Sequence, residues 1–140
     1  MIADPRDLGR RIARRFIVRG IRPDVRELAA QLEVQVLEQG APPPAQPGLR
    51  SEYRREPPRI TLYREAIESL SATIFVDQRF DMLACSLDEV HIAHELFHHL
   101  ECGQRFGPLR PDEVEEAAHA FTQELLDLTF DPHELSRPQE

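Results

Sequence analysis

The run His94-Glu95-Leu96-Phe97-His98 sets two imidazoles four positions apart, with a carboxylate beside the first. On an α-helix, residues four apart are neighbours on one face, so both rings can reach a single ion. Glu95 is turned from His94 by roughly 100°. It cannot join the imidazoles as an equivalent ligand, but it can reach a water on the open side of the ion. This is the H-E-x-x-H pattern of zinc hydrolases: zinc lowers the pKa of water, the glutamate takes the proton, and a nucleophile for a peptide carbonyl results.

A helical wheel tests whether that face is free. With His94 at zero, Val90, Ala93, Leu96, Phe97 and Leu100 fall at roughly 160–320°, a broad apolar side for a core. His94, His98, His91, Cys102 and Glu95 fall between roughly 0° and 100°, a polar side rich in ligand atoms. His91 and Cys102 therefore stand one turn before and one turn after the pair, where they could support the metal or face the substrate. His99, near 140°, is expected to be a solvent-facing or capping group.

Zinc hydrolases need a third protein ligand. The acidic start of the last helical segment offers Asp112, Glu113, Glu115 and Glu116. Ala117, Ala118, Phe121, Leu125 and Leu128 cluster within roughly 60° of Val114 and define a buried face. Glu115 lies near 100°, at the edge of that face, whereas Glu116 near 200° points to solvent. Glu115 is the choice and Glu116 the fallback. His119, near 140°, could hydrogen-bond the third ligand, polarise a substrate carbonyl, or make a plain polar contact between helices. His133 carries no signal.

These residues need elements to hold them. Ser86-Leu87-Asp88-Glu89 is a capping box, and the zinc helix it opens is expected over about 87–102, with Gly103 to stop it. Pro111-Asp112 opens a ligand helix over about 112–128. Upstream, Asp4-Pro5 starts a basic helix over about 5–19, and Pro23-Asp24 starts a second with Val25, Leu28, Ala29 and Leu32 on one face. Strands are expected at 34–37, 49–55 and 59–63, and a helix at 64–72. The proline-rich 40–48 must be a loop, 73–85 fits strand and helix equally, and 131–140 reads as a short tail. The expectation is an α+β fold in one domain over 1–140: a helical core with a small three-stranded sheet.

Composition bounds the rest. The chain has 140 residues, 41% hydrophobic and 30% charged, as an ordinary globular protein does. No apolar run approaches the roughly eighteen residues of a membrane span, and no h-region follows the basic N-terminus, so a cytoplasmic protein without membrane contact is expected. Cys85 and Cys102 are then free thiols. The net charge of −8 is divided, with eight arginines against three aspartates in residues 1–26. That segment is expected to dock on an acidic body. With aromatics at only 6%, direct nucleic-acid binding is not expected.

Taken together, the motifs resemble the ImmA/IrrE type of metallopeptidase, and the likeness spans most of the chain. Pro23-Asp24-Val25 through Leu28-Ala29, Leu32 and Val34 to Val36 is similar to that family's opening segment. Ala93 to His98 is similar to its A-H-E-L-x-H motif, and Glu115, Ala118, Phe121, Leu125 and Leu126 to its second motif. The resemblance implies a zincin-like fold, zinc on His94, His98 and Glu115, and Glu95 as general base. It also implies a protein substrate, a helix-turn-helix repressor, in stress or mobile-element regulation. Phe97 replaces a usual glycine, His119 a usual asparagine, the proline after the Leu-Leu pair is missing, and residues 64–89 make a longer link. The competing reading is a metal-binding regulatory protein of the same fold that binds a DNA-binding partner without catalysis.

Overall fold

In the computed structural model, residues 4–74, 86–103 and 109–136 are described. Among the described residues the fold is α+β: five α-helices and a three-stranded mixed sheet. Helix α1 spans Pro5–Arg14 and α2 Val25–Gln31. In each case an aspartate accepts hydrogen bonds from the first free backbone N–H groups: Asp4 from Arg6, and Asp24 from Arg26 and Glu27. Helix α1 stops short of the expected residue 19. The chain instead folds back in a tight turn, with Val18 bridged to Ile21 and both Arg19 and Gly20 at positive φ.

The sheet consists of β1 (Gln35–Gln39), β2 (Ser51–Arg55) and β3 (Pro58–Tyr63), in the order β1-β3-β2. The central strand β3 runs parallel to β1, with Gln35 opposite Arg59, and antiparallel to β2, with Ser51 opposite Leu62. Residues 40–48 hold no helix or strand. Helix α3 (Arg64–Ile74) extends two residues beyond the expected 72. Thr73 and Ile74 of the ambiguous stretch are therefore helical, while residues 75–85, Cys85 among them, lie outside the described residues.

Helix α4 (Leu87–Gly103) forms the centre of the protein. Its capping box is present: Ser86 Oγ accepts from Glu89 N at 3.3 Å, and the Glu89 carboxylate accepts from Ser86 N at 3.4 Å. It contacts β2 and β3, α2, and α5 (Pro111–Leu126). The expected apolar side of α4 is buried, and Ile92, at its edge, is fully buried with it. Phe97 faces this core, its ring tilted against that of Phe121 of α5 at 5.5 Å and edge-on to His98 at 6.5 Å, and it does not line the cavity described below.

Helix α5 begins with Glu113 accepting from Arg110 N at 3.0 Å and ends two residues before the expected 128, where Asp127 turns left-handed. Its buried face is wider than the wheel indicated and takes in His119, Ala120, Thr122 and Leu126. Helices α1 and α5 cross at Gly9, where backbone meets backbone. Arginines of the basic segment pair with acids of the body, Arg6 with Asp131 at 2.6 Å, Arg14 and Arg22 with Glu124, and Arg26 with Asp88. The expected tail is instead partly a 3₁₀ turn, Pro132–Ser136, docked through buried Leu135. Among the described residues, no helix is long and apolar enough to cross a membrane.

Candidate metal centre

Two turns of α4 and the first turns of α5 bring three ligand atoms together. His94 Nε2 and His98 Nε2 are 3.3 Å apart. Glu115 reaches across from α5 with one carboxylate oxygen 3.3 Å from His94 Nε2 and the other 2.9 Å from His98 Nε2. All lie within 4.8 Å of one another. A tetrahedral ion bound at 2.0–2.1 Å holds its donors about 3.3 Å apart, close to the separations seen here. Two imidazoles and a carboxylate facing inward at such distances need a shared proton or a cation between them. The donor set therefore fits a metal ion. Glu116, the fallback, is exposed and outside the cluster.

The electrostatics agree. Hydrogen bonds from His94 and His98 hold the Glu115 carboxyl well below the usual carboxylate range, against the opposing effect of burial. Burial works against a charged His98, but the Glu115 hydrogen bond and the charges of Glu95, Glu115 and Glu101 push its pKa above the ordinary value. A metal ion must displace that proton, so uptake weakens in acid.

Glu95 is buried at 7% relative exposure and lines the same cavity. Ser51 Oγ, at the start of β2, donates to its Oε2 at 2.7 Å. One carboxylate oxygen is thus fixed, and Oε1 remains for other chemistry. His119 is buried beside His94, ring centroids 4.9 Å apart, and its Nδ1 has no hydrogen-bond partner among the described residues. It does not hydrogen-bond Glu115. Burial, then the charge of His94, lowers its pKa to about 4, so the ring is neutral at neutral pH.

His91 lines the cavity with Nδ1 2.7 Å from the Leu87 carbonyl, and burial lowers its pKa to about 4. An imidazole in the unfolded chain takes its proton near pH 6.5, and His91 in the folded protein refuses it until about pH 4. Protons therefore favour the unfolded chain, and the contribution present above pH 6.5 is lost as pH falls toward 4. Denaturant unfolding of metal-free protein at pH 7.5 and 4.5 should show His91→Asn losing about 2 kcal/mol less than the wild type over that interval. Equal losses would mean that His91 is already charged in the fold.

Other expectations need correction. Cys102 is exposed and absent from the cavity lining, because the helix carries it a full turn past His98. His99 is neither a cap nor simply solvated: β2 covers that side of α4, and the Tyr53 hydroxyl sits 2.7 Å from His99 Nδ1. His133 lines the cavity and packs against His119 at 5.3 Å, because the 3₁₀ turn folds back over the site. Arg50, Ser51 and Leu135 also line this cavity of ≈ 460 Å³, and no motif in the sequence marks them. No family model, no curated protein and no solved structure matches the chain.

Proposed function

We propose that this chain is a zinc-dependent endopeptidase of the ImmA/IrrE type with a zincin-like fold, and that its substrate is a protein, a helix-turn-helix repressor. The observation that carries the reading is the convergence of His94, His98 and Glu115 within 4.8 Å, beside a buried carboxylate in the same cavity. A structural metal site would be closed by protein ligands; this one opens on a cavity ≈ 460 Å³ in volume. The repressor as substrate rests on the sequence resemblance alone.

Zinc, when bound, supplies Lewis acidity toward water and a peptide carbonyl. The chain's own residues do the rest. His94 and His98 would present their Nε2 atoms to the ion once the proton shared with Glu115 is displaced, and Glu115 offers a carboxylate kept ionised by its neighbours. Ser51 holds Glu95 Oε2, so Oε1 takes the proton of the attacking water and passes it to the amide nitrogen as the C–N bond breaks. The neutral His119 ring beside His94 presents a further polar group without adding charge.

Elemental analysis of purified protein should give one zinc per chain. Glu115→Ala should weaken zinc retention against a chelator by about 10²-fold or more, since it removes one of three ligands, while exposed Glu116→Ala should change it little. No zinc uptake on reconstitution, or equal effects of the two variants, would overturn the assignment. Zinc-loaded protein that binds a repressor but cleaves none would favour the regulatory reading over the enzyme.

A further inference from the structure

The cavity carries a cation that the hydrolytic chemistry does not use. Arg50 stands between the proline-rich loop and β2, and it lines the cavity together with Ser51, His91 and Leu135. Its Nη1 donates to the Leu135 carbonyl oxygen at 2.7 Å. That contact occupies one of five N–H donors. Among the described residues, no carboxylate oxygen lies within ion-pair distance of Arg50, whereas Arg6, Arg14, Arg22, Arg26 and Arg64 each have one. Burial opposes its charge, yet a guanidinium stays protonated at neutral pH. It is close enough to His91 to disfavour a second positive charge there.

A partly buried cation without a counter-charge is costly unless a ligand supplies one. The acids lining the cavity are Glu95 and Glu115. A divalent ion together with Arg50 outweighs them by one positive unit, so the loaded cavity favours an anion. The guanidinium fork matches a carboxylate in a bidentate, coplanar arrangement. The volume suits a side chain and a few backbone atoms.

We propose that Arg50 forms a carboxylate-recognition subsite beside the metal centre, so that the preferred substrate carries a carboxylate, from an acidic side chain or a chain terminus, close to the bond that is cut. The inference rests on the metallopeptidase reading above and deepens it. Arg50 selects the substrate; it is not assigned a part in bond cleavage.

The test uses full-length protein loaded with cobalt(II) and reads ligand binding from the visible absorption of the ion. Two probes of equal length are compared: succinate, and succinamate, in which one carboxylate is a neutral amide. Wild-type protein should bind succinate about 10- to 100-fold more tightly. Arg50→Gln should bind the two alike, and Arg50→Lys should keep part of the preference. Should Arg50→Gln unfold for loss of the Leu135 contact, the wild-type comparison and Arg50→Lys still decide. Equal binding by the wild type, or a retained preference in folded Arg50→Gln, overturns the subsite. A protein that takes up no cobalt overturns the metal reading itself, whereas one that takes it up without discriminating overturns only the subsite. Peptide hydroxamates identify the source, one with a glutamate side chain and an amidated end, the other with neutral side chains and a free end. Tighter binding of either than of a neutral amidated control supports the subsite, and equality of all three overturns it.

Discussion

Exchanging Glu95 for glutamine is expected to lower peptide cleavage by about 10²- to 10⁴-fold while leaving zinc stoichiometry unchanged. Glutamine keeps the shape of glutamate and can still accept the Ser51 hydroxyl through its carbonyl oxygen. That matters because Glu95 is buried, and a shorter side chain would leave Ser51 without a partner. What glutamine lacks is a site that takes a proton from water. None of the three clustered ligand atoms belongs to Glu95, so the metal should remain. Single-turnover cleavage of a candidate repressor and elemental analysis of the same sample check both halves. A variant within tenfold of wild-type activity would mean that the proton goes elsewhere. The inactive protein would also serve as a trap, since a substrate it can no longer cut should co-purify with it.

The largest effect on stability is expected at Gly9. Alanine is normally the better helix residue, by about 0.5–1 kcal/mol. Here a β-carbon would sit on the carbonyl oxygen of Ala117 and within 2.9 Å of Phe121 N. Both are main-chain atoms of a helix and cannot rotate away as a side-chain end would. Gly9→Ala must therefore push α1 and α5 apart, at about 3 kcal/mol or more. The displacement is not confined to the core. Glu115 lies two residues before Ala117 and His119 two after it, so moving α5 against α4 pulls the carboxylate from the imidazoles. The midpoint of thermal unfolding should drop by about 10 °C, on the scale of about 3–4 °C per kcal/mol for a domain of this size. Zinc retention should fall with it. Stability within 0.5 kcal/mol of wild type would show that the helices do not cross so closely.

Features carried by local periodicity were readable in advance. The capping box at Ser86, the apolar side of α4 and the placing of Glu115 rather than Glu116 beside the imidazoles all follow from helix geometry. A wheel gives the angle of a residue, however, and not what covers it. His99 points where the wheel put it, but β2 lies over that angle and supplies Tyr53. Cys102 has a favourable angle and the wrong height along the axis. The end of α1 was misjudged because Phe16 and Ile17 continue the apolar spacing, while the turn at Arg19-Gly20 breaks the backbone. Arg50, Ser51 and His133 were missed for another reason. They reach the site through tertiary folding from a loop, a strand start and a short turn, none of which has a period to read.

The turn at Pro132–Ser136 has a consequence for how the site comes into being. Its carbonyl at Leu135 is held by a residue 85 positions earlier, the Ser51–Glu95 bond spans 44 positions, and Arg6 meets Asp131 across 125. Loops of that size close late, after local helices and the hairpin have formed. A nascent chain can have the H-E-x-x-H helix outside the ribosome while the cavity still lacks its far wall and its opposing carboxylate helix. The cavity thus acquires its full lining only when these long-range contacts close, and a partly synthesised chain carries the helix of His94 and His98 without it.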